Sequence, residues 1–318
     1  MMLMEILLID SILRSILVGS LFTLIGIGVT QTVAVTKIFN FAHGELVTIG
    51  AYVACLITKF IYYPLNLPIA IISSFIVPAL IILLIDEVVF KPLTRKGATS
   101  LMLMVASFAV SLGLRYSLYI ITTSQRLLTI MSEISLRTIY TIGDGRITNL
   151  FLWAVPVTLA SVLLLEFLFL STKSGKAMRA VAENVSLARA TGINVDYIRR
   201  LTWIISGGLA GIAGAFWSIY TQTNPEIGWV ILLRGFAAST VGGYYSFFGT
   251  IVGGYLVGLS ENLIMDLINR FFGISIMYKP VLTFALMISF LLFKPTGLVL
   301  EDVNLAKILK KIYLYWGK

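Results

Sequence analysis

Long uncharged runs alternate with short charged segments along this chain, and the lengths of the runs decide the reading. Residues 15–36 lie between Arg14 and Lys37 without a charge, and residues 60–85 lie between Lys59 and Asp86 in the same way. Residues 97–125 are broken only by Arg115, and residues 147–165 are uncharged up to Glu166. Residues 201–225 and 235–260 carry no charge, and a last apolar stretch, 280–293, is bracketed by Lys279 and Lys294. A helix rising about 1.5 Å per residue needs about 20 apolar residues to cross about 30 Å of hydrocarbon. With a shorter helix after Gly44, these runs predict about eight spanning helices. Lipid offers no hydrogen bonds, so each backbone polar group must be satisfied within its own segment, and runs this long must be helical. The fold class is therefore all-α: a polytopic transmembrane bundle in one domain over 1–318, with short half-helices and one helix on the membrane surface.

The charges between the runs orient the bundle, because Lys and Arg gather in short cytoplasmic loops. Lys91, Arg95 and Lys96 mark one such loop. The most basic stretch is 171–202, where Lys173, Lys176, Arg179, Arg189, Arg199 and Arg200 face only Glu183 and Asp196. The loop from Tyr62 to Pro68 is uncharged and suits the outer face. Segment 122–149 alternates apolar with polar residues around Gly143-Asp144-Gly145, which predicts a small extracytoplasmic hairpin. Eight simple crossings would leave the tail, 299–318, outside, although it carries Lys307, Lys310, Lys311 and Lys318. A further short crossing or half-helix around Ile231 to Tyr245 returns it to the cytoplasm. The Gly242-Gly243 pair after Ala237-Ala238-Ser239-Thr240 marks where that element would break.

Composition agrees with the pattern. The 318 residues are 58% hydrophobic and only 12% charged, with a mean hydropathy of +0.95. A soluble chain of this size could not cover its surface with so few polar groups. The net charge of +9 lies in loops between apolar runs, so it reads as membrane orientation and not as nucleic-acid binding. The single cysteine, Cys55, allows neither an intrachain disulfide nor a C-x-x-C site. Glu5 and Asp10 stand where a signal peptide would be basic, so the first apolar helix is read as an uncleaved anchor.

Several chemistries are excluded by residue type. His43 is the only histidine, which removes H-E-x-x-H zinc sites, and no G-x-S-x-G serine is present. There is no G-x-x-x-x-G-K-[ST] loop, so the chain carries no motif for hydrolysing ATP, and nothing in it calls for a cofactor. Three features remain. Asn40-Phe41-Ala42-His43-Gly44-Glu45 puts costly polar groups between two apolar helices, a charge near the midplane costing at least about 2.5–3.5 kcal/mol. It is either a helix break shaping a translocation path, through Asn40, His43 and Glu45 with Gly242 and Gly243, or an interfacial turn. Met178, Val181, Val185 and Ala188 line one face of a short helix in the basic stretch, which Gly192 can stop and after which Asn194 can cap a new helix. That helix is either a solvated surface element or a rigid element docking on a partner protein. Gly207, Gly208, Gly211 and Gly214, and then Gly249, Gly253, Gly254 and Gly258, let helices approach closely, within the chain or at a subunit interface. Arg115, Glu166, Arg234, Glu261 and Asp266 are read as internal ion pairs ahead of gating residues.

The same residues resemble a known family. Lys37-Ile-Phe-Asn-Phe-Ala-His-Gly-Glu45 with Ile49-Gly-Ala-Tyr52 is similar to the first signature of the LivH-type permeases of branched-chain amino acid ABC importers. Gly175-Lys-Ala-Met-Arg-Ala-Val-Ala-Glu-Asn184 and Ala190-Thr-Gly-Ile-Asn194 resemble that family's cytoplasmic coupling segment. Arg234-Gly-Phe-Ala-Ala-Ser-Thr-Val-Gly-Gly243 and Lys294-Pro-Thr-Gly-Leu298 resemble its later signatures, so the likeness spans about Ile16 to Leu298. The resemblance implies a multi-pass cell-membrane subunit paired with a LivM-like permease, two cytoplasmic ATPase subunits and an extracytoplasmic solute-binding protein. It implies coupling to the ATPases through Gly175, Met178, Arg179, Ala182, Glu183, Val185 and Gly192. The cargo would be leucine, isoleucine and valine; related permeases for urea, short amides or other amino acids, and more distantly an ion-coupled secondary transporter, are the alternatives.

Overall fold

The computed structural model describes residues 2–61, 65–143, 145–244 and 246–298, with side chains from Ile9 onward. The helices are α1 (Met2–Thr36), α2 (His43–Phe60), α3 (Asn66–Arg95), α4 (Ser100–Ser124), α5 (Asn149–Ser171), α6 (Lys173–Glu183), α7 (Val185–Ala190), α8 (Val195–Tyr220), α9 (Ile227–Gly242), α10 (Phe247–Phe272) and α11 (Lys279–Phe293). Strands β1 (Thr138–Ile142) and β2 (Gly145–Thr148) pair antiparallel before α5, as the glycine turn predicts. Among the described residues, α1, α3, α4, α5, α8, α10 and α11 with its leading turn from Ile276 are long and apolar enough to cross a bilayer. The 18-residue α2 is the eighth long helix, and α9, with 16 residues, is a short one.

The run 235–260 is not one crossing. Helix α9 ends at Gly242, and Gly243 takes φ +85°, a conformation open to glycine at little cost. The Ser246 hydroxyl then accepts from Gly249 N and starts α10 afresh. The crossing therefore shifts to Phe247–Phe272 and takes in charges that a run-length criterion excludes. Both carboxylates have a partner: Arg234 Nε donates to Glu261 Oε1 at 2.6 Å, and Ser11 Oγ donates to Asp266 Oδ2 at 2.6 Å. The half-helix expected near Ile231 is α9, beginning at Ile227.

The two ends of the bundle are distinct. At the hairpin end, Arg146 N donates to Asp10 Oδ1 (3.2 Å) and Ile130 bridges Thr223 ahead of α9. At the basic end, α6 and α7 lie beside the ends of α1 and α5, with Phe169 of α5 5.8 Å from Phe247 of α10. Leu298 N donates to Val241 O (2.8 Å), so α11 also finishes at the basic end. The short α9 is thus what brings the described C-terminus to the same end as α6; the tail, 299–318, lies outside the described residues.

Helix α8 runs through the centre. Its glycines face neighbours within the chain: a Cβ on Gly211 would collide with Ser74 O of α3, and one on Gly214 with Val47 O of α2. The second glycine set seats α10 on α9 and α1, with Gly253 against Ala238 O and Gly258 against Ser15 O. Both stripes therefore pack the interior of this chain, where small residues allow backbones to meet. Helices α4 and α11 stand at the periphery with most of their apolar side chains outward, as lipid or a partner membrane subunit would require.

Candidate functional site: the helix break and the coupling segment

The break between α1 and α2 is real and buried. Helix α1 stops at Thr36, and Lys37 turns the chain at φ +58°. Asn40 Oδ1 accepts from Ala42 N (3.1 Å), closing the turn that leads into α2 at His43. Irregular backbone at membrane depth survives only where protein covers it, and here Ser107 Oγ on α4 both accepts from Phe41 N and donates to Phe39 O.

His43 is fully buried between α1 and α8, with Nδ1 3.3 Å from Ser206 Oγ, itself a donor to Gly28 O (3.0 Å). Gly28 makes room for the imidazole: a Cβ there would lie 2.6 Å from His43 Cε1. Glu45 sits in the first turn of α2, where the positive end of the helix dipole favours a carboxylate. Its Oε1 accepts from Arg115 Nη2 (2.6 Å), Arg115 Nε (3.0 Å) and Ser111 Oγ (3.0 Å) of α4. The Arg115 guanidinium also lies 4.8 Å from the ring centre of Trp229 on α9. Phe41, Phe108 and Phe236 pack with Trp229 in one aromatic cluster. The break is therefore fastened to α4 by charge and to α9 by aromatic packing.

Gly242 and Gly243 lie at the end of α9, at the basic end, and the next residue, Tyr244, touches the first break, its ring 5.2 Å from Phe39 edge-on. A Cβ on Gly242 would collide with Gly249, and Gly297 meets Gly243 backbone to backbone. The structure thus brings Asn40, His43 and Glu45 together on one break, and sets Gly242 and Gly243 on another.

The coupling segment folds from local signals. The Thr172 hydroxyl caps α6 through Gly175 N (3.0 Å), Asn184 caps α7 through Leu187 N (3.0 Å), and Asn194 caps α8 through Tyr197 N (3.0 Å). The stripe of Met178, Val181, Val185 and Ala188 does not lie on one continuous helix. Asn184 takes extended dihedrals, so its cap on α7 also bends the segment into two helices. The stripe turns inward: Met178, Val181 and Ala188 are buried, Ala182 and Val185 are half-buried, and Gly175 packs on the backbone of Phe169. Arg179, Glu183 and Gly192 are exposed, as is Leu187, which is 62% accessible. Gly192 takes φ +85° and ends the turn after α7. Lys37 Nζ donates to Ala182 O (2.8 Å), a direct tie between the helix break and the coupling segment that the sequence pattern did not reveal.

A multi-pass helical bundle with a buried break and a clamped amphipathic pair at one end fits a membrane transport component, and comparison with known proteins gives the family. The family model of the branched-chain amino acid transport system permease component matches residues 11–291. The chain belongs to this permease family. Curated relatives span the same length. A probable branched-chain amino acid transport permease protein LivH from Methanocaldococcus jannaschii is 34% identical, covering 91% of each chain. The high-affinity branched-chain amino acid transport system permease BraD from Pseudomonas aeruginosa is 29% identical over 91% of this chain and 95% of its own. LivH from Escherichia coli is 27% identical over 90% and 93%. The family call from the signature segments is thus borne out. The permease residues that the sequence did not single out are Lys37 as a tether, and Trp229 as the ring under Arg115. Single aromatic or cationic residues carry no spacing signal, so only the fold reveals these pairings.

Proposed function

We propose that this permease is the membrane-spanning half of an ATP-driven importer for leucine, isoleucine and valine. In this reading it pairs with a LivM-like permease and receives substrate from an extracytoplasmic binding protein. Two ATPase subunits grip the basic end, which then faces the cytoplasm. Curated relatives named for branched-chain amino acid transport support the substrate, and the lack of a phosphate-binding loop supports a separate motor.

The observation that carries the reading is the two-sided build of α6 and α7. The inner side is welded to the bundle by Met178, Val181 and Ala188 and by the Lys37–Ala182 hydrogen bond. The outer side presents Arg179, Glu183, Leu187 and Arg189. An amphipathic element fixed on one face and free on the other suits a groove in a partner, and moves the bundle when the partner moves. Gly175 and Met178 then act by holding α6 on the membrane helices, while Arg179, Glu183 and the Val185–Ala190 turn meet the ATPase. Because Lys37 adjoins the break that carries Asn40, His43 and Glu45, a displacement of α6 reaches that break within one hydrogen bond.

The test is uptake of labelled leucine into proteoliposomes holding the complete complex, with a competition panel. Isoleucine and valine are expected to compete, while urea, acetamide and glutamate are not. Uptake inhibited by urea or an amide, and indifferent to valine, would overturn the substrate.

A further inference from the structure

A cavity of about 730 Å³ opens at the basic end, where α1 stops at Thr36, α3 stops at Arg95 and α8 begins at Val195. Val181 of α6 and Val185 of α7 also line it. Because three spanning helices end around it, the cavity lies at the depth where hydrocarbon gives way to headgroups.

Its lining combines two chemistries. Val35, Val181, Val185, Ile193 and Val195 supply aliphatic surface, while Lys37, Lys91, Arg95, Arg189 and Arg199 supply positive charge. The neighbouring acids do not balance these cations. Asp86 pairs with Arg199, Asp196 pairs with Arg95 across 3.4 Å, and Glu87 is shared between Lys91 and Arg200. Three carboxylates thus serve four cations, and Lys37 and Arg189 add two more, which leaves the cluster at +3. Glu183 of α6 does not line the cavity. Lys37 Nζ donates to a neutral oxygen, Ala182 O, and the exposed Arg189 has no ion pair among the described residues. The Arg95–Asp196 pair is exposed on both sides, and such pairs are worth little, so Arg95 can turn to a better acceptor.

Helix α3 connects this charge to the lipid-facing surface. It exposes Ile72, Ile76, Leu80, Leu84 and Val88, four residues apart, and Lys91 and Arg95 follow within two further turns. Basic pockets between spanning helices recognise anionic headgroups.

We propose that this cavity is a site for a phosphate-bearing anion, supplied by an anionic phospholipid. The phosphate lies among Lys37, Lys91, Arg95 and Arg189, and the glycerol and first acyl carbons lie on the aliphatic lining. A soluble organic phosphate shares the headgroup chemistry, but the aliphatic lining and the α3 stripe favour the lipid. The site does not depend on which solute the permease carries.

The experiment counts lipids retained by the purified permease complex, by native mass spectrometry, after phosphatidylglycerol is added stepwise to phosphatidylcholine nanodiscs. Saturable retention of phosphatidylglycerol over phosphatidylcholine is expected. Lys91→Gln combined with Arg95→Gln is expected to weaken that retention at least about tenfold. Lys173→Gln combined with Lys176→Gln removes two exposed charges from α6 outside the lining, and is expected to weaken it by less than about twofold. Should the first double variant fail to assemble, Arg95→Gln alone decides, because that side chain is 69% accessible; a loss of about fivefold is expected. Equal retention of the two lipids, equal losses in the two double variants, or no effect of Arg95→Gln overturns the site. Displacement of phosphatidylglycerol by an equal concentration of glycerol 3-phosphate identifies a soluble phosphate as the occupant and overturns the lipid assignment.

Discussion

Glu45 has no accessible side-chain surface and holds its place because Arg115 and Ser111 converge on one oxygen. Removing one partner of such a pair strands a charge in a low-dielectric interior, which costs about 3–5 kcal/mol. Arg115→Leu is therefore expected to lower the thermal transition of the purified complex sharply. Glu45→Gln combined with Arg115→Leu should recover much of the loss, since no charge is then left unpaired. Additive losses in that double-mutant cycle, read by thermal unfolding, would show that the two residues do not act as a pair. His43 is constrained differently, by space: Gly28 is small so that the imidazole can lie against α1. Both residues could be singled out as unusual from composition, because a charge or an imidazole inside an apolar run needs a reason. Their partners could not, since Arg115 lies 70 positions from Glu45 and Ser206 lies 163 from His43.

Between residues and the whole bundle, the helices differ in how tightly they are fitted. Gly211 on α8 meets Ser74 O with no room for a methyl group, whereas Gly113 on α4 has nothing within 4 Å of where a Cβ would stand. Gly211→Ala should cost about 1–3 kcal/mol through overpacking, and Gly113→Ala should be neutral or stabilising by up to about 1 kcal/mol. Equal transitions for the two variants would contradict the close α3–α8 crossing. The coupling pair divides in the same manner. Met178→Asp buries a charge against α1 and should disrupt assembly of the permease itself. Leu187→Asp changes only the exposed face, so it should leave the membrane subunits folded while releasing the ATPase subunits on co-purification. Retention of the ATPases by Leu187→Asp would place their contact elsewhere. Periodicity identified the apolar stripe from Met178 to Ala188, and glycine at 192 and asparagine at 194 marked the ends. The bend at Asn184 escaped notice because its extended backbone is compatible with the same residue that caps α7. Which way the stripe faces is a tertiary fact, decided by contact with α1, α5 and α8.

At the scale of the molecule, run length located the bundle and most of its helices, and the basic tail exposed the one inconsistency. An odd short helix was needed, and α9 provides it. Run length alone counts 235–260 as one crossing, the Gly242-Gly243 pair divides it where the sequence pattern placed a break, and the true extent of α10 was hidden because Glu261 and Asp266 are tolerated inside it through Arg234 and Ser11. Charge inside a membrane helix is a poor boundary marker when its partner lies on another helix. The same short α9 carries Trp229 toward Arg115 on one side and Arg234 to Glu261 of α10 on the other, so it joins two of the charged clusters in the bundle. In the proposed importer, motion of α6 is transmitted to it through Lys37 and the α1–α2 break.

The proposed division of labour, a membrane pathway whose sequence carries no nucleotide-binding motif and a separate motor, is tested most directly by subtraction. Labelled leucine uptake is measured in proteoliposomes supplied with binding protein outside and ATP inside, with and without the two ATPase subunits, and again with an imposed proton or sodium gradient in their absence. Uptake is expected only when the ATPases and ATP are both present, and it should fall to background with Leu187→Asp. Gradient-driven accumulation by the membrane subunits alone would contradict it.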